Sequence, residues 1–81
     1  MSLDIFFRSD VAHGITATAI GMLSASAANG PVNVEYVRGV LDKTRADCIG
    51  FGIPWPPVVA ELKAALKGSG DLLDTVARLT P

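Results

Sequence analysis

An all-α fold, a compact bundle of about four helices, is what this chain of 81 residues predicts. Three observations carry it. Apolar residues recur at three- and four-residue spacing in four segments, and none shows the sustained alternation of a half-buried strand. The segments are parted by helix-breaking strings: NGP at 29–31, GFGIPWPP at 50–57, and Gly68. Hydrophobic residues make up 49% of the chain but aromatics only 6%. The apolar character therefore rests on Ala, Val, Ile and Leu, which suit closely approaching helices better than a sandwich filled by aromatics. A chain of this length buries about 60–65% of its unfolded surface, enough for one core and not for two. Residues 1–81 are accordingly read as a single helical domain, and any second core needs a partner.

The first helix is expected over approximately 10–28. Ser9 or Asp10 can cap it, since their side-chain oxygens accept from amides one turn ahead. It stops where Asn29 and Gly30 tolerate positive φ and Pro31 cannot continue the ladder. Residues 1–8 contain LDIFF at 3–7, which reads either as a short extended arm or as the first turn of a longer helix. An arm would need a second edge, most simply its own copy. Met1, Ser2 and Leu3, which an expression vector could supply, are given no functional weight.

The second helix is expected over approximately 34–49 with Asn33 as its cap. Val34, Val37, Leu41 and Cys48 mark its apolar stripe, and Glu35, Arg38, Asp42, Arg45 and the pair Lys43 and Asp47 give it a solvated back. The string at 50–57 is too rich in glycine and proline for a helix or a central strand. A third helix, approximately 57–67, takes Pro56 or Pro57 in its first turn and turns Val59, Leu62 and Leu66 inward. The fourth, approximately 71–79, has Asp71 at its cap and Leu72, Leu73, Val76 and Leu79 available to pack. At about nine residues it is marginal alone and must dock.

Formal net charge is −1 with no basic run. Nucleic-acid binding normally needs a clustered positive face, so none is expected. The one cysteine, Cys48, excludes an intrachain disulfide and a cysteine-rich zinc site, and a reducing, cytoplasmic setting follows as the default. With one His and scattered carboxylates, no metal-ligand spacing appears and no cofactor is expected. The start MSLDIFFRSD sets Asp4 ahead of its aromatics and lacks the basic-then-apolar order of a secretory leader.

The first helix is unusual. Between Val11 and Val34 the only ionisable side chain is His13. At 100° per residue Val11, Ile15 and Met22, with Ala19 and Leu23, form a bulky face, and Gly14, Ala17, Thr18, Gly21, Ala25 and Ala28 a small one. His13, Thr16, Ile20, Ser24 and Ala27 form a third face. The stretch is long enough to span a bilayer, which takes about 20 predominantly apolar residues. Only five of residues 11–28 are Val, Ile, Leu or Met, however, and no Trp, Tyr or Lys belt borders them, so no membrane is expected. A soluble bundle should show charge on an outer helix face. Its lack predicts a homodimer with this helix in the interface, through Gly14, Ala17, Ile20, Gly21, Ser24 and Ala28.

Candidate chemistry is sparse. Asp10 and His13 are three apart, and with Arg8 and their symmetry mates they are candidates for a ligand-binding or enzymatic site at a dimer seam. Phe51 and Trp55 are candidates for an aromatic platform, against the plainer expectation that Trp55 plugs the bundle's end. Cys48, on an apolar stripe beside Asp47, is expected to be a buried, inert thiol. The second and third helices invite comparison with a helix-turn-helix, but the connection is long and only Lys63 and Lys67 supply cations. No catalytic constellation emerges. The sequence thus points to a non-enzymatic protein acting through self-association and protein contact, as adaptor, subunit or regulator.

Overall fold

The computed structural model describes the backbone of residues 3–80 and the side chains of residues 9–80. Four helices, α1 (Leu3–Ala28), α2 (Val34–Phe51), α3 (Trp55–Ala65) and α4 (Gly70–Leu79), account for the described architecture. The backbone of residues 3–8 is helical, so the extended-arm alternative is corrected to a longer α1. No Gly or Pro precedes Gly14 to stop a helix from growing toward the N-terminus. Ser9 and Asp10 consequently sit inside α1 and cap nothing.

The turns show why the other boundaries moved. Asn33 caps α2 as expected, its Oδ1 accepting from the Tyr36 N–H at 3.2 Å. At the far end Gly50 stays helical, and Gly52 stops the helix instead, with φ 68 and ψ 30. Gly52 N–H donates to Ile49 O at 3.2 Å and Ile53 N–H to Cys48 O at 2.8 Å. This paired closure places an apolar residue, Ile53, back against the helix it ends, and Ile53 is buried. Pro54 is extended and α3 begins at once with Trp55, Pro56 and Pro57. These prolines occupy a first turn whose N–H groups have no partner inside the helix. The predicted eight-residue loop at 50–57 therefore shrinks to Gly52–Pro54. In α4, Asp71 lies in the first turn, with Ser69 rather than Asp71 at the cap position.

The helices alternate in direction. Gly14 of α1 shares a cleft with Asp47 and Phe51 of α2, and Met22 shares it with Val40. His13 meets Glu61 of α3, while Ile20 lies with Ala64 and Ala65. Each of α2 and α3 packs on all three other helices, whereas α1 and α4 hardly meet. The cross-section is a rhombus with α2 and α3 on its short diagonal and α1 and α4 at the far corners. Ala19, Leu23, Val37, Leu41, Cys48, Val58, Leu62, Leu66, Leu72 and Val76 fill its middle. Val34, placed on the α2 stripe from sequence, is 47% exposed, and Val40 and Thr44 take up that stripe instead. In α3 the fully inward valine is Val58, with Val59 half-buried.

Buried threonines in such a core need partners for their hydroxyls. Thr16, Thr44 and Thr80 donate to the carbonyls of Ala12, Val40 and Val76, four residues back, at 2.8, 2.6 and 2.6 Å. Exposed Thr18 does the same toward Gly14 O at 2.9 Å. The single O–H of each is thus committed within its own helix.

Candidate functional site: the outer face of α1

A corner helix touches two neighbours and leaves its far side to solvent. In α4 that side carries Asp71, Asp74 and Arg78, as expected of a surface helix. In α1 the core side is Ala12, Thr16, Ala19 and Leu23, and the solvent side is Gly14, Ala17, Thr18, Gly21, Ser24, Ala25 and Ala28. Among the described residues no charge stands on it beyond Asp10 and His13 in its N-terminal part. The uncovered face is thus the small one. The third face is covered in part: Thr16 is buried and Ile20 half-buried toward α3, Ala27 is half-buried near the start of α4, and His13 and Ser24 are exposed. Of the interface residues predicted from sequence, Gly14, Ala17, Gly21, Ser24 and Ala28 share the solvent face, and Ile20 leans toward α3.

Two shallow clefts flank this crest. On the α2 side, a cleft of about 350 Å³ is lined by Gly14, Thr18, Met22, Val40, Asp47 and Phe51. Its rim holds Lys43 Nζ, donating to Asp47 Oδ2 at 3.1 Å. On the α3 side, about 440 Å³ is lined by His13, Thr16, Ala17, Ile20, Ala64 and Ala65. There His13 Nδ1 lies 3.4 Å from Glu61 Oε1, with side chains 69% and 47% exposed. Exposed pairs of this kind contribute about 0–1 kcal/mol. Both clefts have ligand size, but the polar groups at their rims are engaged with one another.

The residues offered for a ligand site do not converge among the described side chains. His13 pairs with Glu61 rather than with Asp10, and the Arg8 side chain lies outside the described residues. Phe51 is 56% exposed in the α1–α2 cleft. Trp55 packs half-buried against the core and lines a separate groove with Val59, Lys63 and Thr80, so a joint platform is not formed. The α3 N-terminus is also a poor anion site, because Pro56 and Pro57 supply no N–H in its first turn. With a three-residue connector, length no longer separates α2–α3 from a helix-turn-helix. Charge still does, since α3 exposes Glu61 and half-buries Lys63. Among the described residues, no group of three His, Cys, Asp or Glu side chains is placed to hold a metal.

Cys48 is buried in the core. Desolvation pushes its thiol pKa up, and the neighbouring Asp47 carboxylate acts in the same direction. A group whose protonated form is favoured by folding stabilises the fold below its unfolded pKa and loses that contribution as pH rises. The native protein is expected to resist thiol alkylation at neutral pH and to react once denatured. Its melting temperature should fall as pH passes the ordinary thiol value of 9.0. Rapid alkylation of the native protein would contradict the burial.

Sequence reasoning missed the flanks of the crest. Lys43 and Asp47, four apart on α2, border the α1 cleft. The charge pattern showed Lys43 and Asp47 as a pair but could not show which helix they bordered. Compared with protein-family models, curated proteins and solved structures, the chain matches none.

Proposed function

We propose that this protein works by protein contact, as a small self-associating helical adaptor, subunit or regulator rather than as an enzyme. One observation carries the proposal: α4 sets Asp71, Asp74 and Arg78 on its solvent side, whereas from Gly14 to Ala28 the solvent side of α1 carries no charge. An uncharged face flanked by apolar clefts is what a chain shows when another chain covers it. The proposed setting is cytoplasmic, with no cofactor.

Lipid is the competing cover, since Ser9–Ala28 is long and apolar enough to cross a membrane and only 17% of the most apolar window is buried. Yet α2 and α3 lie alongside α1 and hold Lys43, Asp47 and Glu61 level with its Gly14–Thr18 segment. Carrying these charges into hydrocarbon is expensive.

Sedimentation of the purified protein without detergent, across a dilution series, tests the proposal. A dimer or larger assembly that dissociates on dilution is expected, and His13→Ala should leave it soluble and folded. A monomer at every concentration would overturn self-association. Specific binding of a small molecule that His13→Ala abolishes without lowering the melting temperature would favour a ligand site instead.

A further inference from the structure

Asn29 and Gly30 follow the last residue of α1, and they are the chain's only asparagine or aspartate with a glycine after it. In such a pair the backbone nitrogen of the glycine can close a five-membered ring on the side-chain carbonyl carbon. Closure needs that nitrogen free of a ladder hydrogen bond, uncrowded by a side chain, and reached by solvent. A helical ladder or a β-branched following residue denies it these conditions.

The turn after α1 meets each of them. The Asn29 N–H donates to Ser26 O at 3.2 Å. Among the described residues, however, neither the Gly30 N–H nor the Asn29 carboxamide has a hydrogen-bond partner. Gly30 has φ 154, a region closed to most side chains, and nothing lies within 4 Å of the place a Cβ would take. Residues 29–31 are all exposed. Gly30 and Pro31 also line an open cleft of about 240 Å³ with Ser69, Gly70 and Asp71 at the start of α4.

The chain's other asparagine, Asn33, is equally exposed but differently placed. Val34, which follows it, is β-branched and opens α2. The Asn33 Oδ1 accepts from the Tyr36 N–H at 3.2 Å, which holds the carboxamide over the first turn of the helix.

We infer that Asn29 is a site of spontaneous covalent modification in the folded protein, reached through a succinimide closed with Gly30. The Gly30 nitrogen gives its proton to hydroxide, and its electron pair forms a bond to Asn29 Cγ. The side-chain nitrogen takes a proton from water and leaves as ammonia. Water then adds to one of the two ring carbonyls and breaks its bond to the ring nitrogen, leaving aspartate or isoaspartate. One water is consumed and one ammonia released, with no oxidation or reduction. The product places a carboxylate in a stretch, Gly14 to Val34, that holds no ionisable side chain. It also sits at the C-terminal end of α1, where the helix dipole disfavours negative charge. The inference does not depend on self-association.

Incubation of the full chain in heavy-oxygen water tests it, folded in buffer beside unfolded in guanidinium chloride, with peptides read by mass spectrometry. In the folded protein, labelled oxygen should replace the side-chain nitrogen of Asn29, faster at mildly alkaline than at neutral pH. Its rate should lie within about threefold of the unfolded rate, because an exposed turn needs no opening to react. Asn33 in the same folded molecules should react at least about tenfold more slowly. Part of the Asn29 product should be isoaspartate, which only a ring intermediate supplies. A folded rate at Asn29 about tenfold or more below the unfolded one would show that the turn protects the pair and overturn the inference. Equal labelling of Asn29 and Asn33, or aspartate without isoaspartate, would overturn it too by showing direct hydrolysis of an exposed amide.

Discussion

Leu62→Ala is expected to lower the melting temperature by more than about 10 °C. Leu62 is fully buried, and it sits on α3, one of the two helices on the short diagonal, so its side chain belongs to the core shared by the other helices. Truncating a buried leucine costs about 2–5 kcal/mol, made up of lost transfer energy and the cavity left behind. A chain of this length has only about 4–12 kcal/mol of stability in all. Each kcal/mol shifts the midpoint by about 4–8 °C in a domain of this size. Val59→Ala, one turn away and half-buried, should cost clearly less. Thermal unfolding followed by circular dichroism decides it, and equal effects of the two substitutions would show that the core is not centred on the short diagonal.

The helical architecture was legible in sequence because it depends on local chemistry: the three- and four-residue spacing, the Asn33 cap and the NGP stop all act within a turn or two. Boundaries failed where two local signals competed. Gly50 and Gly52 both read as stops, and the choice went to Gly52 because Ile53 follows it and can bury its side chain on closing the helix. Pro56 and Pro57 belong to the loop-like string and also suit the first turn of the third helix, and the second reading holds because a first turn asks for no N–H from them. What the sequence could not show was which face of α1 meets its neighbours. With apolar or small residues on every side, the helix has no period to read, and Thr16, on the same face as exposed His13 and Ser24, is buried with its hydroxyl bonded back to Ala12. The crest was recognisable as a set of small residues, but that solvent takes it, and that α2 and α3 border it with Lys43, Asp47 and Glu61, depends on tertiary packing.

Gly21→Arg should separate the stability of the chain from the stability of the pair, with opposite signs. A side chain at position 21 meets nothing in its own chain, and arginine is favoured over glycine in a helix interior by about 0.8 kcal/mol. The monomeric fold should be unchanged or slightly firmer. In a self-associated pair that covers the crest of α1, however, a guanidinium at position 21 is carried into the interface. Among the described residues of α1 the nearest crest carboxylate, Asp10, lies about 16 Å away along the helix. An uncompensated buried charge costs about 3–5 kcal/mol, and such a loss raises the dissociation constant by about two to three orders of magnitude or more. Gly21→Ala serves as the graded control, since its methyl group keeps the helix preference while adding little bulk to the seam. The informative comparison is therefore between melting at concentrations too dilute for association and sedimentation at concentrations where the unmodified chain pairs. A folded Gly21→Arg chain that still pairs as tightly as the unmodified one would show that the crest of α1 is not the surface it shares. If the chain stays folded and the pair is lost, the unexplained glycine at position 21 acquires its reason, a close approach made by a neighbour outside its own chain.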